Sequence, residues 1–195
     1  MDDTILNFNY PTDTPKIIKV IGVGGGGGNA VTHMYKEGIH DVTFVLCNTD
    51  NQALNRSDVP VKVPLGRNIT QGLGAGNKPE RAMMAAEESM EDIRKMLSDG
   101  TKMVFITAGM GGGTGTGAAP VIARFAKDMG ILTVGIVTIP FVFEGERKII
   151  QALNGVEDIS KNVDALLVIN NERLREIYSD LTMTNAFGKA DDTLT

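Results

Sequence analysis

Six glycines crowd the ten residues Ala108–Gly117 of "AGMGGGTGTGAAP", a stretch that follows an apolar run and ends at Pro120. Ordering a glycine costs roughly 0.5–1 kcal/mol more than ordering an alanine in regular structure, and whole domains are stable by only about 5–15 kcal/mol. A turn needs one or two glycines, so the rest require chemistry that repays them. Phosphate binding does so: the N–H groups of Gly112, Gly113, Thr114 and Gly115 can converge on one anion where a helix begins, and the helix N-terminus adds partial positive charge. The Thr114 and Thr116 hydroxyls supply further donors. The P-loop lysine is missing, because G-x-x-x-x-G-K-[ST] occurs nowhere and Gly188-Lys189 is followed by Ala190. Charge neutralisation then falls to amides, the helix dipole and a metal ion.

Two more glycine-rich segments share this setting. "GVGGGGGNA", Gly22–Ala30, follows the first apolar run and opens a helical pattern, with G-x-G-x-x-G at Gly22, Gly24 and Gly27. "GLGAGNKP", Gly72–Pro79, ends where a long helix starts. Between them, "NTDNQAL" puts Asp50 at the distance from the first loop at which a dinucleotide enzyme contacts a ribose hydroxyl. The plainer role for that side chain is to cap a helix or turn. An NAD(P)-dependent Rossmann oxidoreductase therefore accounts for the first loop and Asp50, but leaves "GGGTGTG" unexplained. Three such loops exceed what one pyrophosphate needs, and a triphosphate spread across them fits better.

The elements that must position these loops are legible as alternation. "KIIKVIGV" (16–23), "VTFVLCN" (42–48), "KMVFIT" (102–107), "ILTVGIVTIP" (131–140) and "DALLVIN" (164–170) are apolar almost throughout, as strands covered on both faces are. Helical patterns lie between them. The clearest runs from Pro79 to Leu97, with Ala86, Met90, Ile93 and Leu97 on one face and Gly100 as a stop signal. Its methionines, Met83, Met84, Met90 and Met96, read as core filling. Segments 115–129, 145–162 and 171–178 also read as helices, and another starts at Thr184. The expectation is an α/β, doubly wound, mainly parallel sheet with helices on both faces, Rossmann-like, with ligands at the carboxyl ends of the strands.

Composition sets the limits. At 195 residues, 42% hydrophobic and 22% charged, the chain suits one globular domain. Its net charge of −5 without a Lys/Arg cluster argues against nucleic-acid binding. Cys47 is the only cysteine, which excludes an internal disulfide and reads as a small buried hydrophobe on a strand. "MDDTILNFNYPTDTP" lacks a cationic region followed by an apolar one, so residues 1–15 read as a flexible extension rather than a signal peptide. No run reaches the length of a membrane span, and a cytoplasmic location is expected.

Taken in order, "GVGGGGGNA", "NTDNQAL", "GLGAG", "GGGTGTG" and "PFVFEG" resemble the nucleotide loops of the FtsZ family, the bacterial tubulin-like GTPases of cell division, over about residues 16–195. The resemblance implies GTP or GDP as ligand with Mg²⁺, and head-to-tail self-assembly into protofilaments of the division ring. It also implies membrane tethers held by a C-terminal tail, no direct membrane contact, and action at the cytoplasmic division site. By position, Gly25, Gly26, Gly27 and Gly28 resemble the first phosphate loop and Asn29 a guanine contact. Asp50 resembles the aspartate near the γ-phosphate and Mg²⁺, with no metal ligated by protein alone. Ala75, Gly76 and Asn77 resemble the γ-phosphate-sensing loop, and Gly112, Gly113, Thr114 and Gly115 the diphosphate cradle. Glu144 resembles a ribose-binding glutamate, while Asn171, Phe187 and Asp191 resemble the base-recognition set.

The chain also departs from that pattern. An arginine is usual four residues after the ribose glutamate; "EGERK" puts Lys148 there and Arg147 one earlier, so both are candidates for the nucleotide contact. "NNE", residues 170–172, stands where "PND" is usual, and Ala82 replaces a glycine. The resemblance places a GTP-binding domain at 16–183 and the start of the family's central helix at 184–195. It puts the acidic residues that complete hydrolysis beyond that helix, acting on a neighbouring subunit's nucleotide. The expectation is a chain that binds GDP or GTP, holds no catalytic residue of its own, and turns GTP over very slowly alone.

Overall fold

The structure is a computed structural model that describes residues 16–178 and 183–194. The expected extension over 1–15 lies outside them, as do residues 179–182 near the expected domain boundary. Six strands, β1 (Ile18–Val23), β2 (Thr43–Asn48), β3 (Val61–Pro64), β4 (Met103–Gly109), β5 (Leu132–Ile139) and β6 (Ala165–Asn170), form one sheet in the order β3-β2-β1-β4-β5-β6. Every pairing is parallel, and Ile21 of β1 lies between Val45 of β2 and Ile106 of β4. The chain builds outward from β1 in one direction and from β4 in the other. The crevice between the carboxyl ends of β1 and β4 is therefore the topological switch point, where open α/β sheets bind ligands.

Two apolar layers hold the sheet. On one face, α4 (Pro79–Glu88), α5 (Met90–Leu97), α6 (Thr114–Asp128) and α7 (Glu146–Ser160) bury Ala82, Ile93, Ile122 and Ile159 against Val45, Cys47 and Ile106. On the other, α1 (Gly24–Lys36) and α2 (Asn51–Arg56) bury Val31, Met34 and Leu54 against Phe44 and Leu46. Alternate residues of β2 thus serve opposite cores, which is why "TFVLCN" is apolar without a break. Each fully buried Ile, Leu or Val contributes about 1.5–3 kcal/mol. Cys47 is wholly buried and its thiol is pushed up to about 12 by that burial, as its structural reading requires. Past β6 come α8 (Asn171–Ile177) and α9 (Met183–Leu194), the latter packed on α1.

Three local expectations need correction, and one segment holds elements beyond those read from the sequence. The pattern 79–97 is two helices, because the chain bends at Ser89, whose buried hydroxyl accepts the N–H of Gly66 at 2.9 Å. Met83 and Met84 are 42% and 47% exposed rather than core, whereas Met90 and Met96 pack on the core. β6, an edge strand, is only partly covered: Leu166 and Ile169 pack on the two cores, but Leu167 is 55% exposed. The excursion 51–78 holds, besides its glycine loop, α2, β3 and the single turn α3 (Arg67–Thr70). "VKVP" is too short to read as a strand, and its terminal proline is tolerated because β3 is the other edge.

Candidate functional site

The three glycine-rich segments meet at the switch point. The first is already helical, with α1 starting at Gly24, and it lies against the β4–α6 connection with no room for side chains. A Cβ at Gly24 would stand 2.8 Å from the Gly115 nitrogen, one at Gly26 would stand 3.1 Å from Gly109 Cα, and one at Gly27 would collide with the Thr107 carbonyl oxygen. A Cβ at Gly113 would press on the third segment, 2.9 Å from Lys78 N and 3.1 Å from Ala75 Cβ. Gly115 and Gly117 are equally confined, by the carbonyl oxygens of Gly109 and Pro79. Gly25, Gly28 and Gly112 differ, because nothing lies within 4 Å of the side chain they lack. Gly25 and Gly112 open onto a cleft of about 490 Å³, and Gly28 onto a smaller recess between α1 and α2.

The cleft contains the N-terminus of α6, a fifteen-residue helix whose first orphan N–H groups belong to the "GGGTGTG" run. Side chains from behind hold that run in shape. Gly111 N–H donates to Thr116 Oγ1 at 2.9 Å, and Gln151 Nε2 on α7 donates to the carbonyls of Gly111 (3.1 Å) and Gly112 (2.9 Å). Thr114 Oγ1 lies 2.7 Å from Thr49 Oγ1, which ties the run to the end of β2. Sequence reasoning missed Gln151, since a glutamine on an amphipathic helix carries no motif.

The same cleft is also lined by Asn29, Glu144, Asn171, Phe187 and Asp191. Glu144 closes the 3₁₀ turn Val142–Glu144: its carboxylate accepts from Phe141 N–H at 3.0 Å and from Lys148 Nζ at 3.2 Å. Lys148 is thus the cation beside Glu144. Arg147, one residue earlier on α7, lines a different groove and is not brought to the cleft. Glu172 of "NNE" accepts from Val142 N–H at 3.0 Å and from Arg175 at 2.7 Å, contacts that hold its carboxyl below its usual range and tie α8 to the same turn. Phe187 is edge-on to Phe141 and Phe143, with centroids 5.4 and 6.2 Å away, and is 46% exposed, leaving surface for a planar ligand.

Asn171 is 6% exposed and its Oδ1 has no hydrogen-bond partner among the described residues. Buried polar atoms are nearly always paired, so an orphan acceptor on the wall of a cleft marks a place for a donor from a ligand. Asp191 sits partly buried on α9, and burial is the main cause that pushes its carboxyl up to about 6, opposed by His33 and assisted by Asp192. His33 of α1 meets Asp192 at 3.2 Å, which holds α9 over the cleft.

The remaining candidates lie beside the cleft rather than in it. Asp50 caps α2, its Oδ1 accepting from Gln52 N–H at 2.8 Å and Ala53 N–H at 3.1 Å. Its other carboxylate oxygen has no hydrogen bond among the described residues. Ala75 is buried behind Gly113, while Gly76 and Asn77 are exposed with positive φ of 63° and 59°. That left-handed pair turns the chain into α4 and leaves backbone groups facing outward.

Parallel sheet, switch point and glycine-lined cleft define a doubly wound α/β domain. The family model for the Tubulin/FtsZ family, GTPase domain, matches residues 17–179, and the chain belongs to that family. It is 70% identical to the cell division protein FtsZ of Porphyromonas gingivalis, covering all of this chain and 43% of that protein. To FtsZ of Aquifex aeolicus it is 52% identical over 92% of this chain and 49% of that one. Among solved structures, an empty FtsZ dimer from M. jannaschii superposes with a TM-score of 0.89 at 44% identity, over 94% of this chain and 53% of that one. The chain therefore spans about half the length of the relatives it matches. The family assignment gives the oxidoreductase reading no support. No described helix is long and apolar enough to cross a membrane.

Proposed function

We propose that the cleft binds GTP and GDP, and that in the intact protein it is half of a GTPase site shared between subunits of a division-ring polymer. The observation that carries this reading is the amide face at Gly112–Gly115, built at the N-terminus of α6 and backed by Thr116 and Gln151. Phosphate oxygens would take those N–H groups, Glu144 and Lys148 would flank the ribose, and guanine would stack on Phe187. Asn171 Oδ1 and the Asp191 carboxylate would accept from guanine N–H groups, which adenine does not present at those positions. Asn29 would complete the base or sugar contacts, and Ala75–Asn77 would border the γ-phosphate.

No group of three His, Cys, Asp or Glu side chains among the described residues could hold a metal ion. Mg²⁺ would therefore sit on phosphate oxygens and water, with the spare oxygen of Asp50 available to its hydration shell. When bound, it would supply charge neutralisation that no P-loop lysine provides here. Hydrolysis would then rest on electrostatic stabilisation by amides, with the attacking water positioned by carboxylates of a neighbouring subunit. Self-association is supported by the solved FtsZ dimer among the relatives, and its head-to-tail geometry is part of the proposal. Membrane tethers are proposed to bind the tail of the intact protein at the cytoplasmic face of the division site.

Isothermal titration of the nucleotide-free chain tests the ligand. GDP is expected to bind at least about a hundredfold more tightly than ADP, because each buried contact to a guanine N–H that adenine lacks discriminates by about 1–3 kcal/mol. Equal affinity for ADP, or preferential binding of NAD⁺, would sink the reading.

A further inference from the structure

A second hollow among the described residues plays no part in the nucleotide reading. It is a groove of about 610 Å³ between α4, α6 and α7, and it shares no lining residue with the nucleotide cleft. That size and setting, between packed helices, is typical of small-molecule sites. Its floor is closely packed, with α4 against α6 backbone to backbone and the Thr116 side chain of α6 against Gly155 of α7. A Cβ at Gly117 would collide with the Pro79 carbonyl, and one at Gly155 would stand 2.6 Å from Thr116 Cγ2. Its wall is apolar, with Met83 and Ile150, 42% and 53% exposed, beside Pro120 and Val121.

The charges on the rim point to an anion. Arg124, Arg147 and Lys161 face two carboxylates, Glu80 and Asp158. Arg124 is engaged by Glu87 at 3.2 Å, and Lys161 by Glu157 and Asp158 at 3.1 and 3.5 Å. Arg147 has no ion pair or hydrogen bond among the described residues. A planar guanidinium without a partner, next to an exposed apolar wall, matches a carboxylate carried on an apolar body.

The groove also touches the phosphate cradle from behind. Thr116 and Gln151 line it, and between them these two side chains hold the Gly111 N–H and the Gly111 and Gly112 carbonyls. We infer that this groove is a binding site for small organic acids with an apolar body, seated on Arg147, and that its occupancy is felt at the nucleotide cradle through Gln151 and Thr116. The binding half stands without the nucleotide; the coupling half rests on the proposed GDP site.

The test titrates the nucleotide-free chain with 4-phenylbutyrate, the neutral 4-phenylbutyramide and the cationic 4-phenylbutylamine, following backbone amides by NMR. The acid is expected to shift amides at Met83, Ile150 and Asn154 together with those of Gly111 and Gly112. It should bind about tenfold more tightly than the amide, the worth of one charge-assisted contact. Arg147→Gln should erase that preference. Gln151→Met should keep the acid in the groove but silence Gly111 and Gly112, and should abolish an expected change of about fivefold in GDP affinity caused by the acid. The proposal is overturned if the amide or amine binds as well as the acid, if Arg147→Gln changes nothing, or if shifts fall elsewhere or are absent up to about 10 mM. Coupling alone is overturned if Gln151→Met leaves the Gly111 and Gly112 shifts intact. Failure of GDP to bind in the absence of any acid would count against the nucleotide reading and leave the groove titration to be judged separately.

Discussion

Two glycines five residues apart in one run have opposite reasons to lack a side chain. Gly117 is confined by the backbone of Pro79, whereas Gly112 opens onto the cleft with nothing within 4 Å. Gly117→Ala is therefore expected to lower stability by about 1–3 kcal/mol through overpacking, seen as a fall in Tm. Gly112→Ala should leave stability within about 0.5 kcal/mol of the parent, since its open side carries no native contact, yet weaken GDP binding by placing a methyl group where phosphate approaches. Asp191 makes a pH prediction of definite sign. Its carboxyl is raised from 3.8 to about 6 in the folded state, so in nucleotide-free protein its contribution to stability is full below 3.8 and is lost as pH rises through about 6. Asp191→Asn removes that loss. It should stabilise the nucleotide-free chain by about 1–2 kcal/mol near pH 7.5, after discounting for partial exposure, with no advantage near pH 4. The same substitution should weaken GDP, and for the parent GDP affinity should fall about tenfold from pH 7.5 to 5 as the carboxylate takes up a proton. Calorimetric titration across that range measures it.

Among the elements, α2 shows how a cap and a candidate ligand group share one side chain. Asp50→Ala should cost about 1 kcal/mol by uncapping Gln52 and Ala53, while Asp50→Asn should keep the cap and lose only the Mg²⁺ dependence of GTP binding, read by titration with and without the metal. The sequence showed strands 16–23, 42–48, 102–107 and 131–140 clearly because both faces are covered and the apolar pattern is continuous. It was less informative wherever tertiary contacts override local pattern. The break at Ser89 depends on the amide of Gly66 twenty-three residues away, and exposure of β6 depends on its being an edge. For the candidate site, the glycines were legible from residue type and order, and Glu144 through the resemblance of its loop. Gln151 and Glu172 were not, since each acts only through a partner distant in sequence, Gly111–Gly112 or Val142. Spacing alone also did not separate Lys148 from Arg147. A helix turns about 100° per residue, so Lys148 reaches Glu144 while Arg147 lines the groove between α4, α6 and α7.

At the scale of the whole molecule, one topological fact organises the rest. Reversal of strand order between β1 and β4 opens the crevice, and the glycines of α1 and α6 let two backbones close on it without side chains between them. On the proposed reading the sheet places the phosphate contacts and α8 and α9 the base contacts, with His33 of α1 meeting Asp192 of α9. The central claim is that this arrangement selects guanine nucleotide. The most direct measurement is the dissociation constant of the nucleotide-free chain for GDP beside those for ADP and NAD⁺, in one buffer with Mg²⁺. The account predicts GDP tighter than either by at least about a hundredfold, with that margin reduced in Asp191→Asn. Comparable affinities for GDP and ADP, or a preference for NAD⁺, would contradict it.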